Sequence, residues 1–235
     1  MGKYKRVLLK LSGEALAQGS DGIYNHAFLA EVAEAIKAAT DEGIEVAVMV
    51  GAGNIWRGRQ GVEMDRGTAD AMGMLATCVN ALMLKDSFRR AGMDAVVLTS
   101  VSMPQFAELY TSYGAKEHLE KGHTVIFGGG IGLPYFSTDT AAAMRAAEIG
   151  ADAILMAKNI DGIYTDDPRV NPNAVKLDTV SCKEILSRGL RAIDATAAAL
   201  CMDAKIPVLV FGLDTPKNIL RAARGENFGT VITCD

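Results

Sequence analysis

Three apolar runs in this chain each end in a glycine-containing loop, and that recurrence limits the possible folds more than any other feature. The fullest case is Val125 to Asp139, VIFGGGIGLPYFSTD, where four glycines fall within five positions and a proline, two aromatics and Ser-Thr-Asp follow. Such a stretch predicts a buried strand opening into a loop whose backbone N–H groups approach an anion, with a helix beginning at Asp139 or just after. Val7 to Leu11 stops in the same way at Ser12-Gly13, and Ile44 to Val50 at Gly51-Ala52-Gly53-Asn54. Ligands of an open α/β sheet bind beyond the carboxyl ends of its strands, so the three loops are expected to converge. With Lys10 and Arg57 beside them, the expected ligand is a polyphosphate.

Between these runs the pattern turns helical. Asn25 is placed to cap a helix with the apolar face Phe28, Leu29, Val32, Ile36 and Ala39. From Met64 to Arg90 no proline interrupts, and Met72, Leu75, Ala76, Val79, Leu82 and Met83 recur at helical spacing, which predicts a long helix buried on that face. The methionines there read as core rather than as a soft-metal site. Asp94 to Leu98, His123 to Phe127 and Asp152 to Ala157 read as strands, and Thr140 to Ile149 as a helix. Asp161 to Asp178, with Asp-Gly, Asp-Asp-Pro and Asn-Pro-Asn, reads as a hairpin or irregular excursion. Helices over Asp194 to Lys205 and Pro216 to Arg224 then alternate with strands over Pro207 to Phe211 and Gly229 to Cys234. The expected fold is therefore α/β, an open and mostly parallel central sheet with helices on both faces, in one domain spanning the 235 residues.

Composition removes several classes of function. A net charge of −4 with 49% hydrophobic residues and no basic patch argues against a nucleic-acid partner. No apolar run reaches the roughly 18 residues of a membrane span, and the four cysteines lack the spacing of a metal site, so a reducing cytoplasm is expected. The G-x-x-x-x-G-K-[ST] motif of P-loop enzymes is missing. The dinucleotide fingerprint G-x-G-x-x-G fails as well, because Trp56 and Tyr135 stand where its third glycine belongs.

Five segments in order resemble the bacterial uridylate (UMP) kinases of the amino-acid-kinase superfamily. They are Lys10-Leu11-Ser12-Gly13-Glu14, Gly51 to Gly58, Asp70 with Met72-Gly73-Met74, Pro134 to Asp139, and Asp161-Gly162-Ile163-Tyr164 with Asp167-Pro168. The first is shared across the superfamily; the Asp70 and Pro134 segments point to the uridylate enzymes. The resemblance implies transfer of a phosphoryl group from ATP to UMP with Mg²⁺ as cofactor, in a homohexamer activated by GTP and inhibited by UTP. It also implies an acceptor and oligomer-contact half over about residues 1–150 and an ATP-binding half over about 151–235. Chemistry of this kind needs cations and oriented N–H groups rather than a general base, because a phosphate monoester is already largely dianionic near neutral pH.

Carried onto this sequence, the resemblance gives ATP to Lys10, Leu11, Ser12, Gly13, Gly53, Arg57, Asn159, Tyr164 and Asp167. It gives UMP to Gly51, Ala52, Asp70, Ile131, Gly132, Leu133, Pro134, Tyr135, Phe136, Ser137 and Thr138. Lys10, Arg57, Asp139 and Asp194 are the expected catalytic set. Asp139 is expected to coordinate Mg²⁺ or to orient Lys10, and Asp194 to brace the lysine or simply to cap a helix. The chain departs from many relatives at Ala52, where they carry a third glycine, and at Ile131 and Leu133, where they carry Thr and Asn, so base contacts there are apolar or through backbone. Either Lys158 or Asn159 meets the donor base. Two other readings stand beside this one: a kinase of a carboxylate such as glutamate or acetylglutamate, and a dinucleotide-binding oxidoreductase.

Overall fold

The computed structural model describes residues 4–56, 63–168, 170–190 and 193–234. In chain order its elements are β1 (Arg6–Leu11), a 3₁₀ turn (Gly13–Ala17), α1 (His26–Asp41), β2 (Glu45–Val50), α2 (Arg66–Arg90), β3 (Ala95–Thr99), β4 (Glu108–Leu109), α3 (Ser112–Glu120) and β5 (Thr124–Gly128). There follow α4 (Thr138–Ile149), β6 (Ala153–Lys158), β7 (Ile163–Tyr164), β8 (Lys176–Leu177), β9 (Thr179–Ser181), α5 (Cys182–Arg188), α6 (Ala195–Ala204), β10 (Val208–Gly212), α7 (Asn218–Ala223) and β11 (Thr230–Thr233).

Among the described residues nine strands form one sheet in the order β4-β3-β5-β2-β1-β6-β10-β11-β9. All pairings are parallel except β10 with β11, so β11 and β9 run against the rest. The chain builds outward from β1 on one side through β2, then returns to its other side with β6, which makes β1 and β6 the point where the winding reverses.

Alternation along the strands sorts side chains into two cores. Val7, Leu9 and Leu11 face the layer of α1, α2 and α7, while Leu8 faces the layer of α3, α4, α5 and α6. Each of these leucines is fully buried and stabilises the fold by about 1.5–3 kcal/mol. Lys10 shares the parity of Leu8, so the sheet delivers its ammonium to the α4 side.

Asn25 caps α1 as expected, its side chain accepting from Phe28 N at 3.1 Å. In α2 the period is right but the buried face is rotated from the expected one and shares only Ala76 and the half-buried Met83 with it. Met72, Leu75, Val79 and Leu82 are exposed, Leu75 at 56%, while Ala76, Thr77, Asn80, Ala81, Leu84 and Phe88 are buried. Small and polar residues face inward here because they meet the backbone of the glycine loops, where a large side chain has no room. This helix is long and apolar enough to cross a bilayer by length and composition alone, yet its inner face packs on the sheet. Segment 161–178 is the anticipated hairpin, with Ile163 opposite Leu177 in antiparallel register.

Candidate active site

Helix α4 does not begin with Asp139 as its cap. Ser137 caps it, accepting from Asp139 N at 3.0 Å and Thr140 N at 3.2 Å. The Asp139 side chain is therefore left for Lys10, whose Nζ lies 2.6 Å from Oδ1. On β6, Met156 is the register partner of Lys10, and Lys158 stands one pleat further along the same face. Its Nζ lies 3.6 Å from Asp139 Oδ2, so one carboxylate sits between two ammonium groups at the reversal point of the sheet.

Burial alone would raise the Asp139 carboxyl; the charges of Lys10 and then Lys158 outweigh it and hold the group below its ordinary value. Burial pulls the Lys158 ammonium below its ordinary value, with the Asp139 charge opposing and Lys10 adding to the effect. Removing either kind of partner from such a cluster leaves buried charge uncompensated.

On the β2 side, the loops after β1 and β2 interlock. A Cβ built on Gly13 would fall 2.3 Å from Gly53 N and 2.7 Å from the carbonyl carbon of Ala52, so only glycine lets these backbones meet. Leu11 is fully buried and takes part through its carbonyl, which accepts from Gly51 N at 2.9 Å. The Gly51 carbonyl accepts from Asn80 Nδ2 at 2.7 Å; Asn80 is fully buried and also bonds Tyr24 and Asn54.

Next to these loops lies a cleft of about 120 Å³ lined by Ala52, Asp70, Met74, Thr77, Gly130, Ile131, Leu133, Phe136, Ser137 and Thr138. Asp70 Oδ2 accepts from Arg66 Nε and from Tyr135 N, both at 2.8 Å. Tyr135 is held at φ 72°, a costly conformation for a non-glycine residue and one that clusters at functional sites. Gly132, Pro134 and Tyr135 form the outer turn of the loop and do not line the cleft. Arg57 lies outside the described residues.

On the β10 side a larger cleft, about 550 Å³, is lined by Lys158, Ile160, the hairpin from Gly162 to Pro168, and Arg188 to Leu190 with Val210. Tyr164 and Asp167 both line it. Asn159 is exposed and does not line it, so of the two neighbours it is Lys158 that faces the cleft. Asp194 caps α6, accepting from Ala197 N at 2.8 Å. It also accepts from Thr140 Oγ1 at 2.8 Å and from Ser137 Oγ, which ties the start of α6 to the start of α4. Its charge reaches Lys158, while the ion pair to Lys10 is made by Asp139.

Both Asp139 oxygens face lysines, and no group of three or more His, Cys, Asp or Glu side chains suited to a metal exists among the described residues. The donor set thus fits an ion that arrives on a ligand's phosphates better than a metal held by protein alone. Reading the sequence missed Thr77, Asn80, Ser100 and Arg145, all of which act on the loops from behind. Thr77 and Asn80 did carry a signal, being polar residues one turn apart inside an apolar helix.

The model of the amino acid kinase family matches residues 5–212. UMP kinase from Bacillus anthracis superposes with a TM-score of 0.95 at 38% identity, over 99% of this chain and 97% of that one. UMP kinase from Ureaplasma parvum gives 0.92 at 36% identity, over 99% of this chain and all of its own (100%). Uridylate kinase from Archaeoglobus fulgidus gives 0.73 at 30% identity, with coverage of 99% and 100%. The glycine loops, the lysine pair around Asp139 and the two flanking clefts are therefore features of a chain that belongs to the amino acid kinase family.

Proposed function

We propose that this protein transfers the γ-phosphoryl group of ATP to UMP, giving ADP and UDP. The observation that carries the reading is the Lys10–Asp139–Lys158 cluster standing between a small cleft and a large one. UMP occupies the small cleft, with Asp70 accepting from ribose hydroxyls and Ile131, Leu133 and Phe136 against the base. ATP occupies the large one, between the hairpin and Val210. The acceptor half then corresponds to residues up to about 150 and the donor half to the remainder.

Lys10 bridges the oxygens of the transferring group, Asp139 fixes its direction, and Lys158 meets the donor phosphates. The Ser12-Gly13 and Gly51–Gly53 loops close the same end of the sheet, and Arg57 is assigned to phosphate from its place beside them. Magnesium bound through the ATP phosphates would neutralise part of their charge. Asp139 is then an anchor for lysines first, and its role toward the metal is carried by a single carboxylate.

The exposed stripe of Met72, Leu75, Val79 and Leu82 on α2 supports self-association, for which the resemblance suggests a hexamer. GTP activation and UTP inhibition follow the same resemblance. Four buried cysteines, none in a disulfide, agree with a cytoplasmic enzyme. The test is a steady-state assay with ATP and, in turn, UMP, CMP, glutamate and acetylglutamate, with products separated by chromatography, together with light scattering for the oligomer. UDP formation far above every other product is expected; phosphorylation of a carboxylate, or none of UMP, would overturn the assignment.

A further inference from the structure

Behind the loop assigned to the acceptor stands one hydroxyl. Ser100 directly follows β3, and its N–H donates to the Gly128 carbonyl at 3.2 Å while its Oγ donates to the Gly130 carbonyl at 2.6 Å. Gly129, Gly130 and Gly132 have φ of 78°, 57° and 89°. A Cβ on Gly132 would lie 3.0 Å from Ser100 Cβ, and one on Gly129 3.2 Å from Ser100 N, so the loop wraps this residue at contact distance.

The same Oγ accepts from Arg145 Nη2 at 3.2 Å. Arg145 is 6% exposed, paired with Glu148 at 2.6 Å, and its guanidinium lies 3.6 Å from the Tyr110 ring centroid. The Tyr110 hydroxyl bonds the same Glu148 oxygen at 2.6 Å. These contacts lock the guanidinium plane, as a buried cation requires. An arginine only donates, and a serine hydroxyl has one hydrogen. Arg145 therefore takes a lone pair of the hydroxyl, and the hydrogen is directed at the Gly130 carbonyl.

We infer that Ser100 and Arg145 are positioning residues for the acceptor: Arg145 sets the direction of the Ser100 hydroxyl, which sets the height of the Gly129–Gly132 turn over the small cleft. Neither side chain lines that cleft. The inference rests on the assignment of that cleft to UMP.

The experiment uses the full-length enzyme with Ser100→Ala, Arg145→Lys and both together, and measures KM for UMP and ATP separately, kcat, and melting temperature. Ser100→Ala should raise the UMP KM roughly 3- to 10-fold, the scale of one lost hydrogen bond, with the ATP KM within about twofold. Arg145→Lys should give a smaller rise of the same kind. In the Ser100→Ala background it should add nothing to the UMP KM, because residues acting through one bond are not additive. An unchanged UMP KM in Ser100→Ala, equal changes in both KM values, or independent multiplication of the two effects would overturn the relay. Ser100→Ala removes one oxygen and carries the test alone if Arg145→Lys does not fold. Asp70→Ala separates the two levels: if it too leaves the UMP KM unchanged, the acceptor assignment fails; if it raises that KM and Ser100→Ala does not, only the relay fails.

Discussion

The loop from Gly129 to Thr138 is tied into the interior, whereas the tip of the hairpin over the larger cleft is tied to its own residues. Gly129 N donates to Thr77 Oγ1 at 2.8 Å, Gly130 O accepts from Ser100, Tyr135 N donates to Asp70, and Ser137 bonds Asp194. In the hairpin, Thr165 N bonds Val175 O at 2.9 Å, Val175 N bonds Thr165 Oγ1 at 3.0 Å, and Asn171 bonds Asp166 at 2.9 Å. Its base is held to β11 through Thr230, but Val170 and Val175 stand 82% and 62% exposed at the tip. The bonds to Thr77 and Ser100 hold the Gly129–Gly130 end of the loop below the surface, whereas a surface hairpin with local bonds opens at low cost. Under the proposed function, the difference gives selection to the loop over the small cleft and entry and release to the hairpin over the large one.

The largest effect should come where the two sides meet. Lys10→Ala is expected to lower kcat by roughly 10²-fold or more with smaller changes in either KM, since a preorganised cation counts most as charge develops. Retention of more than about a third of the parent kcat, with both KM values raised, would reduce Lys10 to a ground-state binder. Next come paired substitutions that split the sides. Asp70→Ala should raise the UMP KM about tenfold and leave ATP alone, and Lys158→Ala should do the reverse, at the scale of one charge-assisted hydrogen bond. Equal shifts in both KM values for either variant would erase the division.

Hydrogen exchange sharpens the contrast directly. Amides of Val170, Asn171 and Asn173 should exchange much faster than that of Gly129, and ATP alone should slow them. Equal protection without ligand would refute the idea of one fixed and one movable wall.

Acid gives a smaller readout on the cluster between them. The folded Asp139 carboxyl is held below its unfolded value, so its stabilisation is complete above the ordinary aspartate range and is lost as pH falls through the depressed folded value. Melting curves should therefore show the gap between the parent and Asp139→Asn narrowing as pH drops from about 5 toward 3. A gap that widens on acidification would contradict the sign. Smallest of all should be a fluorescence change. Trp56 Nε1 donates to Ala69 O at 2.9 Å, beside Asp70, so UMP should alter its emission and ATP alone should not.

Much of this architecture was legible because it rests on local signals. Glycine after an apolar run marked the ends of β1, β2 and β5, and Asn25 announced α1. Elements without such signals escaped: β4 is two exposed residues, and α5 is seven residues long, although Ser181 and Glu184 formed a capping box that could have revealed it. The inward face of α2 was misread because hydrophobicity ranks Leu75 above Thr77, while what the interior wanted there was a hydroxyl for Gly129. The candidate site residues that the sequence suggests are mostly those at strand ends. Asp194 joining Ser137, or Ser100 joining Arg145, spans 57 or 45 positions, and no pattern in the sequence encodes which distant partner a polar side chain will choose.

The central place of β1 also bears on how the protein is made. Synthesised before the strands that flank it, this strand meets β2 after one crossover helix, α1, but its other edge, Val7 to Leu11, is completed only by Ala153 to Ala157. Until β6 has been synthesised, the innermost strand carries a bare, apolar edge able to pair with a neighbouring nascent chain. Lys10 lies on that edge. The nascent protein thus brings Lys10 and Lys158 together in the same event that covers this edge.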